Sequence, residues 1–137
     1  MTPTEVVLAY IDAINSQSID KLVGLLTPDH VFTDSLGKKI PGRRYMRDAW
    51  LGYFKNVPDY RITVSETFEE GDRVLVVGGA AGTYRSTGLS NAEEHWEIPA
   101  AWRGKVDGHR LAEWAAFVDH GPLRLAILRA SAAEPVS

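Results

Sequence analysis

The chain has 137 residues, 45% of them apolar, 9% aromatic and 24% charged, enough to close one hydrophobic core and too apolar for disorder. Fifteen basic residues against eighteen acidic ones leave a net charge of −3, which speaks against a nucleic-acid-binding surface, where basic residues cluster in excess. Cysteine is absent, so disulfides, thiol nucleophiles and cysteine-ligated zinc are excluded.

No apolar run approaches the roughly 18 residues a membrane span needs, and Met1–Glu5 lacks a charged leader. A cytoplasmic protein with no membrane partner is expected. The first element is a helix capped by Thr4, with Val6, Val7, Tyr10, Ile11 and Ile14 recurring at helical spacing. A short second helix, Asp20–Leu26, ends at Thr27-Pro28-Asp29, because a residue before proline avoids helical angles. His30–Asp34 reads as a short strand and Ser35–Lys39 as a turn. A third helix, Arg43–Asn56, carries Trp50, Tyr53 and Phe54 on one side.

From Tyr60 the period changes to two. Arg61–Glu69 and Arg73–Tyr84 form one hairpin around Glu70-Gly71-Asp72; His95–Val106 and Arg110–Val118 form a second around Asp107-Gly108. Gly78, Gly79 and Gly82 inside a strand point to a bulge, sharp curvature or close approach of another group. Ser86–Glu93 reads as a polar loop and Leu123–Leu128 as a last helix. Residues 1–129 form one domain and 130–137 a flexible tail. Helices first and strands afterwards imply an α+β fold, with helices packed on one face of a curved antiparallel sheet shaped as an open cone.

Two stretches carry a resemblance. One is Val57-Pro58-Asp59-Tyr60-Arg61-Ile62-Thr63-Val64, followed by Glu70-Gly71-Asp72-Arg73-Val74 and Gly82-Thr83-Tyr84; the other is Asp107-Gly108-His109-Arg110-Leu111-Ala112-Glu113-Trp114, followed by Phe117-Val118-Asp119 and Gly121-Pro122-Leu123. In this order the chain, over about residues 3 to 128, resembles the NTF2-like superfamily and, within it, the SnoaL-like polyketide cyclases. The resemblance implies a cone-shaped pocket for a hydrophobic, carbonyl-bearing small molecule. It also implies proton abstraction leading to cyclisation or isomerisation, without a cofactor. The alternative is a binding protein of the same fold that changes no bond.

Against the related ketosteroid isomerases, which pair an Asp base with a Tyr and a protonated Asp as donors, Asp34 falls on the base and Tyr10 on the helical Tyr donor. The position of the third acid falls at about Pro99, which can donate nothing. Asp119 falls near the acid/base carboxylate of the cyclases. Asp34 could instead close a turn onto its own backbone, and Asp119 could cap the last helix. If position 99 faces the pocket, as the resemblance implies, His95 and Glu97 face it too, while Trp96, Ile98 and Trp102 point outward. Tyr84 stands where cyclases carry His, and can donate a hydrogen bond but not serve as a neutral-pH base. An epoxide hydrolase of this fold would need a partnering Arg and Asp that the stretch around Gly82-Thr83-Tyr84 does not supply.

Trp50, Tyr53, Phe54 and Phe117 are candidate walls for a flat apolar ligand. No two of the four histidines show metal-ligand spacing, so no metal is expected. Trp96, Trp102 and Trp114, placed on the far side of the sheet, would need burial of their own, which suggests a homodimer through the outer sheet face.

Overall fold

The computed structural model describes residues 1–85, 93–119 and 121–132. Helices α1 (Pro3–Asn15), α2 (Ile19–Gly24), α3 (Arg43–Asn56) and α4 (Gly121–Ala132) accompany strands β1 (Leu26–Thr33), β2 (Lys39–Pro41), β3 (Arg61–Glu70), β4 (Arg73–Arg85), β5 (Glu93–Asp107) and β6 (Arg110–Val118). Most of the Ser86–Glu93 loop, His120 and residues 133–137 lie outside the described residues.

The cap of α1 is Thr2, not Thr4. The Thr2 side chain accepts from the Glu5 N–H at 3.1 Å and the Thr2 N–H donates to Glu5 Oε1 at 2.8 Å, so two orphan donors of the first turn are satisfied reciprocally. Thr4 donates instead to Glu69 across the sheet edge, at 2.7 Å from its hydroxyl. The second helix stops at Gly24, earlier than its leucines suggest, because Leu26 pairs with Leu111 and begins β1. Pairing in a sheet here prevails over local periodicity.

The strands form one curved sheet in the order β2-β1-β6-β5-β4-β3. Neighbours run antiparallel except β1 and β6, which are parallel. The sheet is therefore mixed, and the antiparallel expectation needs this correction. Helix α1 lies against β3, β4, β5 and β6, with Val6, Val7, Tyr10, Ile11 and Ile14 all buried. Residues 130–132, assigned to a tail by composition, belong to α4. Among the described residues, no helix is long and apolar enough to cross a membrane.

His30 is fully buried in β1 and donates its Nδ1–H to the Leu111 carbonyl of β6 at 2.8 Å, which leaves Nε2 without a partner among the described residues. Burial lowers its pKa below the ordinary histidine value; the Leu111 carbonyl and the Glu113 and Asp29 carboxylates oppose this only partly. The unfolded chain then binds a proton at about pH 6.5 that the folded chain refuses. Stability must fall as pH drops from about 6.5 toward the lowered pKa, by at most about 1.4 kcal/mol per pH unit. Urea midpoints between pH 8 and 5 should decline more steeply in the wild type than in His30→Gln, and parallel curves would exonerate His30.

Candidate active site

A cavity of about 340 Å³ opens between α3 and the inner face of the sheet, at the small end of the range of ligand sites. Its wall is aromatic: Trp50 and Tyr53 from α3, Tyr60 just before β3, Trp96 and Trp102 from β5, and Trp114 from β6. Trp50, Tyr53 and Tyr60 are in mutual contact, with centroids 5.9 Å apart for Trp50–Tyr53 and 4.9 Å for Tyr53–Tyr60, and both pairs are nearly perpendicular. Tyr60 continues the wall to Trp96 at 6.0 Å, and Trp102 stacks on Trp114 at 6.3 Å.

One charged group reaches this cavity among the described residues, and it is Asp34. Asp34 follows β1 and opens the turn to Lys38; its Oδ1 accepts the backbone N–H groups of Leu36 and Lys38, both at 2.9 Å. The turn reading and the pocket reading are thus both realised in one side chain. Oδ1 shapes the turn, and Oδ2 has no partner among the described residues. Tyr53 and Tyr60 line the same space, and neither hydroxyl is hydrogen-bonded among the described residues. Burial raises the pKa of both, so they stay protonated and each keeps an O–H to donate.

Tyr10 sits one layer behind the wall. It is fully buried, edge-on to Trp114 at 5.2 Å, and its hydroxyl accepts the Trp50 indole N–H at 3.0 Å. That bond holds Trp50 in place rather than reaching the cavity. Phe54 stacks on the same indole at 5.2 Å and is buried. Tyr84 is half-buried against the core and does not line the cavity.

The remaining candidates lie elsewhere. Strand β5 presents Trp96, Ile98 and Trp102 inward, and His95 and Glu97 outward, the reverse of the expected parity. The physical reason is that helices cover one face of this sheet only, and the large apolar residues of the strand take it. Exposed His95 bonds at 3.2 Å with the Thr83 hydroxyl, which itself donates to Asp59 at 2.8 Å. Burial disfavours the Asp59 anion, yet the two Thr83 hydrogen bonds outweigh it and hold its carboxyl below the usual range. Phe117 is 52% exposed on the outer face, with the Arg103 guanidinium 5.6 Å above its ring. Asp119 is exposed and accepts the Gly121 N–H at 2.9 Å, which is the helix-capping alternative.

Of the sequence candidates, the structure thus brings together Asp34, Trp50 and Tyr53. It adds Tyr60, Trp96, Trp102 and Trp114. The signal for Trp96 and Trp102 was available in the β5 alternation Trp96-Glu97-Ile98-Pro99 itself, once the bulky residues are taken as the covered face. No group of His, Asp and Glu among the described residues could hold a metal.

A family model described as the SnoaL-like domain matches residues 7–114. The chain belongs to this family. Solved structures agree in fold at low identity. A candidate SnoaL-like polyketide cyclase from Shewanella denitrificans is 19% identical with a TM-score of 0.81, covering 93% of this chain and 97% of its own. An epoxide hydrolase of the LEH-like type from M. tuberculosis is 18% identical with a TM-score of 0.75, over 96% of this chain and 92% of its own. A hypothetical protein with a ketosteroid isomerase-like fold from Catenulispora acidiphila, in complex with trimethylamine, is 17% identical with a TM-score of 0.73, over 98% of this chain and 96% of its own. No curated protein sequence matches significantly. The SnoaL-like chain therefore shares its frame with proteins of differing chemistry, and its own activity must be read from its own cavity.

Proposed function

We propose that this SnoaL-like protein binds a small, largely apolar carbonyl compound in the aromatic cavity and that Asp34 removes a proton α to the carbonyl. A single observation carries this: one carboxylate, with one oxygen free of partners among the described residues, lines a cavity walled mainly by aromatic and aliphatic groups. The Asp34 Oδ2 takes the α-proton, and the C–H electron pair moves through the α-carbon to the carbonyl oxygen. That oxygen is met by a hydroxyl of Tyr53 or Tyr60. Returning the proton to another carbon shifts a double bond; attack of the enolate carbon on a second carbonyl closes a ring. Water exclusion by the aromatic wall strengthens each hydrogen bond at the developing charge. Turnover of enolisable ketones by wild type and Asp34→Asn tests the assignment. Binding without turnover in the wild type would favour the non-catalytic alternative.

The setting we propose is cytoplasmic, and the quaternary state a homodimer. The tryptophans that suggested the dimer face the cavity, so that argument transfers to other residues. On the outer face Leu75, Phe117 and Pro99 are exposed, with Val77 and Ala101 half-buried between them, flanked by Arg103 and by Glu97 and Glu113. An apolar centre edged by both charge signs is self-complementary about a two-fold axis. Sedimentation at micromolar concentration should give twice the chain mass, and a monomer would end the idea.

A further inference from the structure

Deprotonation in this cavity creates a charge problem that the protein does not solve by itself. Asp34 brings one negative charge, and the enolate inherits it when the proton moves. Among the described residues, no Lys, Arg or His lines the cavity, and the one ion pair, Arg47 with Asp20, lies outside it. A neutral ligand therefore leaves one negative charge beside the aromatic wall before and after proton transfer, and no cation among the lining residues offsets it. The donors of its lining residues are all neutral, among them the phenols of Tyr53 and Tyr60, the Ser35 hydroxyl and the Trp96 indole N–H, which has no partner among the described residues. Anionic ligands fare worse, since they would add a second negative charge beside Asp34.

A ligand that carries its own positive charge removes the imbalance. With one ammonium group, the sum is zero when Asp34 is a carboxylate and the ligand a cation. It is still zero when Asp34 is protonated and the ligand is a zwitterionic enolate. The wall supplies a surface for such a group. Trp50, Tyr53, Tyr60 and Trp96 form a continuous run with neighbouring centroids between 4.9 and 6.0 Å, and indole and phenol rings attract organic cations, Trp most strongly.

We propose that the ligand class of this cavity is the amino-carbonyl compounds, with the ammonium against the aromatic run and the α-carbon toward Asp34. This rests on the reading of the cavity as a ligand site with Asp34 as its charged group. The test uses two probes of one shape, benzyltrimethylammonium and its uncharged carbon isostere neopentylbenzene, titrated against the fluorescence of the cavity tryptophans. The cation should bind at least tenfold more tightly in the wild type. That ratio should fall toward unity in Asp34→Asn and decrease in Tyr53→Leu, each variant being checked for an unchanged far-UV spectrum. Equal or tighter binding of the neutral probe overturns the cationic class while leaving the cavity a ligand site. Failure of both probes to bind overturns the two readings together.

Discussion

Asp34→Asn is expected to lower turnover of an enolisable substrate by about 10²- to 10⁴-fold, the range that general-base catalysis contributes, while the melting temperature stays nearly unchanged. The separation arises because the two oxygens of Asp34 do different work. Oδ1 accepts the N–H groups of Leu36 and Lys38 at 2.9 Å each, and the amide oxygen of Asn can still accept both, without the carboxylate's charge. Oδ2 is the oxygen without a partner among the described residues, and an amide nitrogen in its place cannot take a proton. Asp34→Ala is a useful contrast: it removes the base and also leaves two turn donors without their acceptor, at about 1–2 kcal/mol. Loss of activity with retained folding in the Asn variant identifies proton transfer. A drop of only a fewfold would show that Asp34 serves the turn alone.

The second large effect concerns stability. A methyl group at Gly78 would stand 1.8 Å from the Thr63 carbonyl oxygen and 2.9 Å from its carbon, inside the bulge where the β3–β4 register shifts between Val64 and Glu66. Both atoms are backbone and cannot rotate away. Gly78→Ala must therefore open the bulge or part the strands, at about 3 kcal/mol or more, in the range of severe overpacking. For a domain of this size that is a fall in melting temperature of roughly 10 °C. The neighbouring Gly79→Ala meets only the Ile98 carbonyl, at 3.3 Å, and should cost about 1 kcal/mol or less. Equal melting temperatures for the two variants would refute the role assigned to the bulge.

How much of this was legible in the chain varies by element. The glycines of β4 announced a bulge or close approach, and Gly78 and Gly82 supply them: a methyl at Gly82 would come 2.4 Å from the Val57 side chain and 3.2 Å from the Trp96 ring. Helix α3 put Trp50 and Tyr53 on one side by spacing alone, and both reach the cavity. Asp34 was legible as a candidate and as a turn residue. The parity of β5 was misjudged because position 99 was placed by resemblance, when the strand's own alternation of bulky and polar residues pointed the other way. Tyr10 could be recognised as a buried helical tyrosine, but its bond to Trp50 spans 40 residues and leaves no local trace.

Composition and periodicity by themselves determined the class of this protein: an α+β domain, its helical face and its hairpins, while its family was legible only through the resemblance carried by its motifs. The elements follow from local geometry, where a period of about 3.6 or of two dictates which side chains share a surface. Only the tertiary structure decided which carboxylate enters the cavity, and it chose Asp34 while leaving Asp119 to cap a helix in solvent. The direction in which a strand's odd and even residues point depends on which face the helices cover. That choice is made by packing between elements far apart in the chain, and no single segment records it.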